Sequence, residues 1–302
     1  MTEFHFTPKK YIYNVFMARE EQKDVYLVSN LVSSEPDKHA RRDNLSKYKT
    51  LQVNYQDNIT KIIMNRPEKK NALSLEMYNE IICALDEAGK DDSVLTVLTG
   101  YGDYFSSGND LNNAKYISPK KDEILKTPLE VVRNFVCKFI DFPKPLIAMV
   151  NGPAIGIATT ILGLFDLVYA SDKATFNTPF SKLGQHPEGC SSYTFPKIMG
   201  LAKATEVLVF NKTLTAREAC DLGLVTEVFP DNTFQKEVWS KLRAYATLPK
   251  NCLTLSKQLI RNVEKEKLHA VCEKEFELLA KRANSEDSLK AVQLFFQRKA
   301  KL

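Results

Sequence analysis

A chain of 302 residues with 44% hydrophobic content can bury one sizeable core, or one core and a small appendage. Its net charge of +5 is carried in short groups such as Lys9-Lys10, Arg41-Arg42 and Lys69-Lys70, without the basic stripe and interleaved aromatics of a nucleic-acid binder, so a small polyanionic ligand suits it better. No apolar run reaches membrane-spanning length, and six scattered cysteines without a CxxC pair signal neither a disulfide framework nor a zinc site.

Residues 1–50 differ in composition from the rest. An amphipathic helix is expected around Val15 to Leu31, and the charged stretch Ser33 to Lys49 reads as a linker. Glu3, Glu20 and Glu21, with no apolar signal core, argue against a secretory or acid-poor presequence. A main domain is therefore expected over 51–302, with 1–50 as an N-terminal extension.

Alternation at Ile62 and Met64 predicts a strand ending at Asn65-Arg66-Pro67. Leu73, Met77, Ile81, Leu85 and Ala88 then recur every three or four positions, which predicts a helix with Ser74 as its N-cap. Val94 to Thr99 reads as a buried strand, Gly100 to Gly108 as a loop, Leu129 to Ile140 as a helix, and Pro145 to Val150 as a second buried strand ending in Asn151-Gly152. Further on, Thr215 and Glu218 form a capping-box pattern opening a helix that closes near Gly223, and Val225 to Phe229 is a short strand. After Thr233 the pattern is helical, and the chain closes on Ala300-Lys301-Leu302, a small-basic-Leu tripeptide of the kind read by the peroxisomal import receptor.

Strands alternating with helices indicate an α/β fold, with ligands expected where strands hand over to loops and helix starts. There is no GxGxxG or GxxxxGK[ST] phosphate loop, and the histidines (His5, His39, His186, His269) have no metal-ligand spacing, so no metal is expected.

Four segments carry a resemblance. They are Asn65-Arg66-Pro67-Glu68-Lys69-Lys70-Asn71-Ala72-Leu73, Phe105-Ser106-Ser107-Gly108-Asn109-Asp110-Leu111, Lys144-Pro145 through Asn151-Gly152-Pro153-Ala154-Ile155-Gly156-Ile157, and Leu183-Gly184 with Pro187-Glu188-Gly189-Cys190-Ser191-Ser192. In this order and spacing they resemble the crotonase (enoyl-CoA hydratase/isomerase) superfamily over Leu51 to Leu302, and the second and fourth are most similar to its peroxisomal delta3,delta2-enoyl-CoA isomerases. Asp24 to Ser29 resembles the tail of an acyl-CoA-binding domain, too short a remnant to enclose a ligand.

The resemblance implies a superhelix of β-β-α turns forming two sheets, with C-terminal helices from about 233 that assemble homotrimers or dimers of trimers. It implies a fatty acyl-CoA substrate and movement of its double bond from position 3 to position 2, with no metal or redox cofactor. The backbone amides of Asn109 and Ile157 would hold the thioester oxygen, the latter at a helix start after Gly156, and Glu188 would be the acid/base. Taken alone, Glu188 reads rather as a solvated loop glutamate, and it is the resemblance that turns the reading to catalysis. Lys69, Lys70, Asn71, Ala72 and Leu73 would meet the CoA nucleotide, although the lysine pair could equally be a solvated turn; Ser106, Ser107, Gly108, Asp110 and Leu111 would shape the loop around the thioester. Two glutamates that activate water in the hydratase branch are replaced by Thr160 and Phe180, and Phe180 would exclude water. Hydration of enoyl-CoA, and acyl-CoA binding without turnover as in chromatin-associated relatives, stand as the alternatives. The location implied is the peroxisomal matrix, with mitochondria left open as a second.

Overall fold

Four parallel strands and one antiparallel neighbour accrete around β2 (Ile59–Met64) to give the main sheet. β1 (Leu51–Gln56) pairs antiparallel with β2 through a turn at Asp57 and Asn58, both with positive φ. β3 (Leu95–Gly100), β4 (Leu146–Val150), β6 (Leu167–Ser171) and β9 (Glu227–Phe229) then add in parallel, giving the order β1-β2-β3-β4-β6-β9. The computed structural model describes residues 47–116, 128–282, 285–286 and 290–291, all within the unit Ser46–Leu302. The helix expected around Val15 to Leu31, most of the linker and the tripeptide Ala300-Lys301-Leu302 lie outside the described residues.

Parallel strands are buried on both faces, so β3 and β4 are buried along their whole length while their side chains point alternately to the two sides. On one face Ile62, Leu98, Ala148 and Val150 pack under α1 (Leu75–Ala88) and α2 (Pro128–Asp141). On the other, Val97, Ile147, Met149 and Tyr169 meet Val238 and Leu242 of α7 (Phe234–Tyr245). Tyr78, Phe135 and Phe139 stack edge to face between α1 and α2, with centroids 4.9 and 4.8 Å apart, and each such ring contributes about 3 kcal/mol by burial. Packing begins slightly before Leu51: Tyr48 is buried, and the amides of Lys49 and Thr50 donate to the Glu80 carboxylate on α1 (2.8 and 2.9 Å).

A second sheet of three short strands, β5 (Ala154–Ile155), β7 (Thr175–Asn177) and β8 (Leu214–Thr215), in the order β5-β7-β8, gives the second of the two sheets that the resemblance implies, although none of its strands is predicted by the sequence pattern. It is followed by α6 (Ala216–Asp221), where Thr215 and Glu218 complete the capping box in both directions. α3 (Ile157–Thr160) follows β5, and α4 (Ser191–Met199) packs against α5 (Leu201–Leu208). The longest helix among the described residues, α8 (Lys250–Arg282), packs back on α2 and α4. Among the described residues no helix is long and apolar enough to cross a membrane.

Candidate active site

Two loops leave the C-terminal ends of the neighbouring strands β3 and β4, the edge where parallel sheets present ligand sites. The first bridges Leu73: the Leu73 amide donates to Gly108 O (2.9 Å) and the Asp110 amide to Leu73 O (3.0 Å). In a parallel bridge of this kind the residue between those partners, Asn109, turns its own amide to the opposite side. The second loop bridges the first. Ser106 N donates to Pro153 O (3.3 Å), Ile155 N donates to Ser106 O (3.0 Å), and Gly156 N is taken by Asn177 O (2.8 Å) on β7. Ile157 then opens α3, whose first amides have no partner within the helix. Among the described residues no acceptor is recorded for the amides of Asn109 or Ile157.

The loops touch at Gly108. Its φ is +81°, and a β-carbon there would lie 2.4 Å from Ile155 O, so only glycine permits the approach. The two free amides are thereby brought to one place. The helix behind Ile157 is short, four residues passing into a 3-10 turn at Ile161–Leu164, so the Ile157 amide itself, rather than a long helix dipole, is what this element offers.

Surrounding side chains brace these loops. The Asn71 side chain, fully buried, donates to Tyr101 O and Tyr104 O (2.9 and 2.8 Å) and accepts from Arg66 N (2.9 Å), so its amide is consumed inside the protein. Ser106 Oγ donates to Asn71 O (2.7 Å) and accepts from Gly108 N (3.1 Å). Arg66 pairs with Asp110 (3.3 Å) and donates to Ala72 O (2.7 Å). Burial raises the Asp110 carboxyl, but Asn112 and Arg66 outweigh it and hold the group below the usual range. Leu111 starts a 3-10 turn through Tyr116. Lys69 and Lys70 stay exposed, Ser107 Oγ reaches Lys69 O at 3.4 Å, and the Lys70 ammonium lies 4.9 Å from the Tyr104 ring centre.

Glu188 approaches from the other side of α3. The next residue, Gly189, packs so closely that a β-carbon would meet Thr160 Oγ1 at 2.7 Å and Ile161 Cγ2 at 3.5 Å. Glu188 is half-buried as a residue, while its carboxyl is surrounded by protein. Burial first, and the charge of Glu275 second, push that carboxyl up to about 8. No salt bridge to Glu188 is found among the described residues. The buried Tyr78 hydroxyl, which donates to Asn109 Oδ1 (3.4 Å), is itself raised by burial and then by the charge of Glu188, which puts carboxyl, tyrosine and first loop within electrostatic reach. The structure thus gathers Asn109, Ile157, Gly108, Gly156 and Glu188 around one region. Thr160 is buried beside it, its Oγ1 donating to Ile157 O (3.2 Å), and Phe180 is buried in the core.

A cavity of about 380 Å³ lies elsewhere, lined by Leu162, Asp166, Tyr193, Arg261 and Glu264. Its charges are already paired, Asp166 with Arg261 (3.0 Å) and Glu264 with Lys197 (2.7 Å), and it holds none of the residues gathered above. Free amides and a proton-holding carboxyl identify the chemical site better than volume does.

Tyr78 and Glu275 were missed by sequence reasoning. Glu275 carried a signal: it sits in the core-facing register of α8 with Leu268, Cys272 and Phe276, where a carboxylate is out of place.

Residues 54–301 match the protein family described as enoyl-CoA hydratase/isomerase. The chain is 62% identical over 256 residues to the human enoyl-CoA delta isomerase 2, covering 84% of this chain and 65% of that one, so it spans about two thirds of that relative's length. It is 52% identical over 281 residues to the mouse peroxisomal enoyl-CoA delta isomerase 3, covering 92% and 89% respectively. A crystal structure of an enoyl-CoA hydratase/isomerase from Pseudoalteromonas atlantica superposes with a TM-score of 0.77 at 35% identity, covering 83% of this chain and 98% of that one.

Proposed function

The chain belongs to the enoyl-CoA hydratase/isomerase family, and from that membership together with the single raised carboxyl at the amide pair we propose that it isomerises cis- or trans-3-enoyl-CoA to trans-2-enoyl-CoA, a step in the oxidation of unsaturated fatty acids. Ionised Glu188 takes a proton from C2; the C–H electron pair becomes the C1=C2 bond and the carbonyl pair moves onto the thioester oxygen, giving a dienolate in which C3=C4 is conjugated with C1=C2. The amides of Asn109 and Ile157 hold that oxygen without reorganising, and each such donor contributes about 3 to 4 kcal/mol to lowering the barrier. Protonated Glu188 then delivers its proton to C4, leaving C2=C3. No metal or redox cofactor enters this sequence.

The observation that carries the reading is a carboxyl pushed up to about 8, poised to release a proton as readily as it takes one, with Thr160 and Phe180 where water-activating glutamates would stand. Thr160 is fully buried under Gly189, which leaves no room for a longer acidic side chain. Exposed Lys69 and Lys70 suit the CoA phosphates. Incubation with 3-hexenoyl-CoA should give 2-hexenoyl-CoA, and Glu188→Ala should nearly abolish it; accumulation of 3-hydroxyhexanoyl-CoA, or binding without turnover, would refute the isomerase reading.

The assembly we propose is a homotrimer or a dimer of trimers, supported by an apolar stripe on α8: Leu255, Leu259, Ile260 and Val263 are all exposed, Val263 by 80%. A peroxisomal location, with Ala300, Lys301 and Leu302 as the residues an import receptor would read, is supported by the likeness to the peroxisomal relative. Deleting those three residues from a fluorescent fusion should leave it outside peroxisomes.

A further inference from the structure

The turn that carries Glu188 is held from a distant part of the chain. Gly189 and Cys190 are both left-handed (φ 67° and 62°), and the second of these is costly for a residue with a β-carbon. They lead directly into α4, whose first amides need acceptors, yet the N-cap residue Cys190 supplies none from its side chain. Glu275 supplies them from α8. Its Oε2 accepts from Cys190 N (2.7 Å), and its Oε1 accepts from Ser192 N (3.0 Å) and Ser192 Oγ (2.5 Å). At the other end of the same loop Arg282, also on α8, donates to Gly184 O (3.5 Å).

Three donors converge on Glu275, which is 6% exposed. A glutamine there would turn an amide N–H toward one of them, so the site asks for an acceptor-only, ionised carboxylate. Burial pushes this carboxyl up further than the three hydrogen bonds pull it down, so it sits above the usual carboxylate range. The titratable groups facing the pair are Tyr78 from α1, Cys190 on the loop, and Cys272 one turn back on α8; no cation is paired with either carboxyl among the described residues.

We propose that Glu275 is a positioning residue for Glu188: from α8 its carboxylate fixes the left-handed turn that aims Glu188, and it sets a fixed negative charge behind that residue. The inference rests on the proposed shuttle role of Glu188 for its catalytic consequence, but its geometric and electrostatic content can be measured without turnover.

Two variants separate the two effects. Glu275→Gln removes the charge and misplaces one hydrogen bond: kcat for 3-hexenoyl-CoA should fall about tenfold or more with KM changed by less than about twofold, and the acidic limb of kcat/KM should move down by about 1 pH unit. Glu275→Asp keeps the charge but is too short to span both amides, so kcat should fall while the limb stays in place. A ¹³C NMR titration of the Glu188 carboxyl in wild type and Glu275→Gln should show the same downward shift. Should Glu275→Gln fail to fold, Ser192→Ala removes one donor and should lower kcat about threefold with melting unchanged. An unmoved limb and an unmoved Glu188 titration in Glu275→Gln, with kcat merely tracking the folded fraction, or unchanged kcat in Ser192→Ala, would overturn the inference. A wild type that fails to isomerise, but whose Glu188 titration still drops on Glu275→Gln, leaves this inference standing and removes the isomerase reading instead.

Discussion

Glu188 must be a base toward C2 and an acid toward C4 within one turnover, and its raised carboxyl bears on both rate and stability. Because the free enzyme must present the ionised form, kcat/KM should climb about tenfold per pH unit below about pH 8 and level off above it. Glu188→Gln should lower kcat by about a thousandfold with little change in KM, since the lost interaction exists mainly in the transition state. The same shift has a cost in stability. A carboxyl whose folded value lies near 8, against an ordinary 4.5, binds its proton more tightly in the folded state. Its contribution is therefore fully present below about pH 4.5 and is lost as pH rises through about 8. Glu188→Gln, permanently neutral, should melt higher than wild type at pH 8, with the gain vanishing near pH 5; equal melting temperatures at both values would contradict the buried carboxyl.

At the scale of elements, the two loops and the strands that launch them decide whether the amides converge. A methyl at Gly108 would collide with Ile155 O at 2.4 Å, so Gly108→Ala should spread the loops and lower kcat by about a hundredfold or more, whereas Asn109→Ala keeps the backbone donor and should lose far less. The strands are locked at their other ends by Lys144. Its buried ammonium, ahead of β4, is held by Asp91 Oδ1 (2.6 Å), Ser93 Oγ (2.7 Å) and Ser93 O (3.1 Å), ahead of β3. Lys144→Ala would strand Asp91 and should cost about 3 to 5 kcal/mol in urea unfolding, with the loops' chemistry intact in the folded fraction. Much of this level was legible in the chain. The 3.6 period through Met77, Ile81 and Leu85, the Ser74 cap and the capping box at Thr215 and Glu218 are local signals, and each stands where the spacing placed it. β5, β7 and β8 were not legible, because strands of two or three residues hold no period and exist only through partners tens of residues away. Asn71 is the same lesson at the site: the motif marks its importance, but only the fold shows its side chain spent on Tyr101 and Tyr104.

Across the whole molecule, α8 joins what is exposed to what is catalytic. Its N-terminal half presents Leu255, Leu259, Ile260 and Val263 outward, while its C-terminal half sends Glu275 and Arg282 to the ends of the loop that bears Glu188. Four aliphatic side chains repeating at helical spacing on one exposed stripe are costly to leave in water, and covering them in an assembly would stabilise the helix that braces the active-site turn. Leu259→Glu with Val263→Glu places two charges in that stripe and should shift the mass in light scattering from the assembly to a single chain. Because neither residue touches the loop, the chain should stay folded, but α8 loses its outer support. The consequence expected at the site is a fall of about three- to tenfold in kcat with the position of the acidic limb unchanged, since Glu275 keeps its charge while holding the turn less firmly. A single-chain variant with full kcat would show that α8 braces the loop by itself, and that assembly and catalysis are separable in this protein.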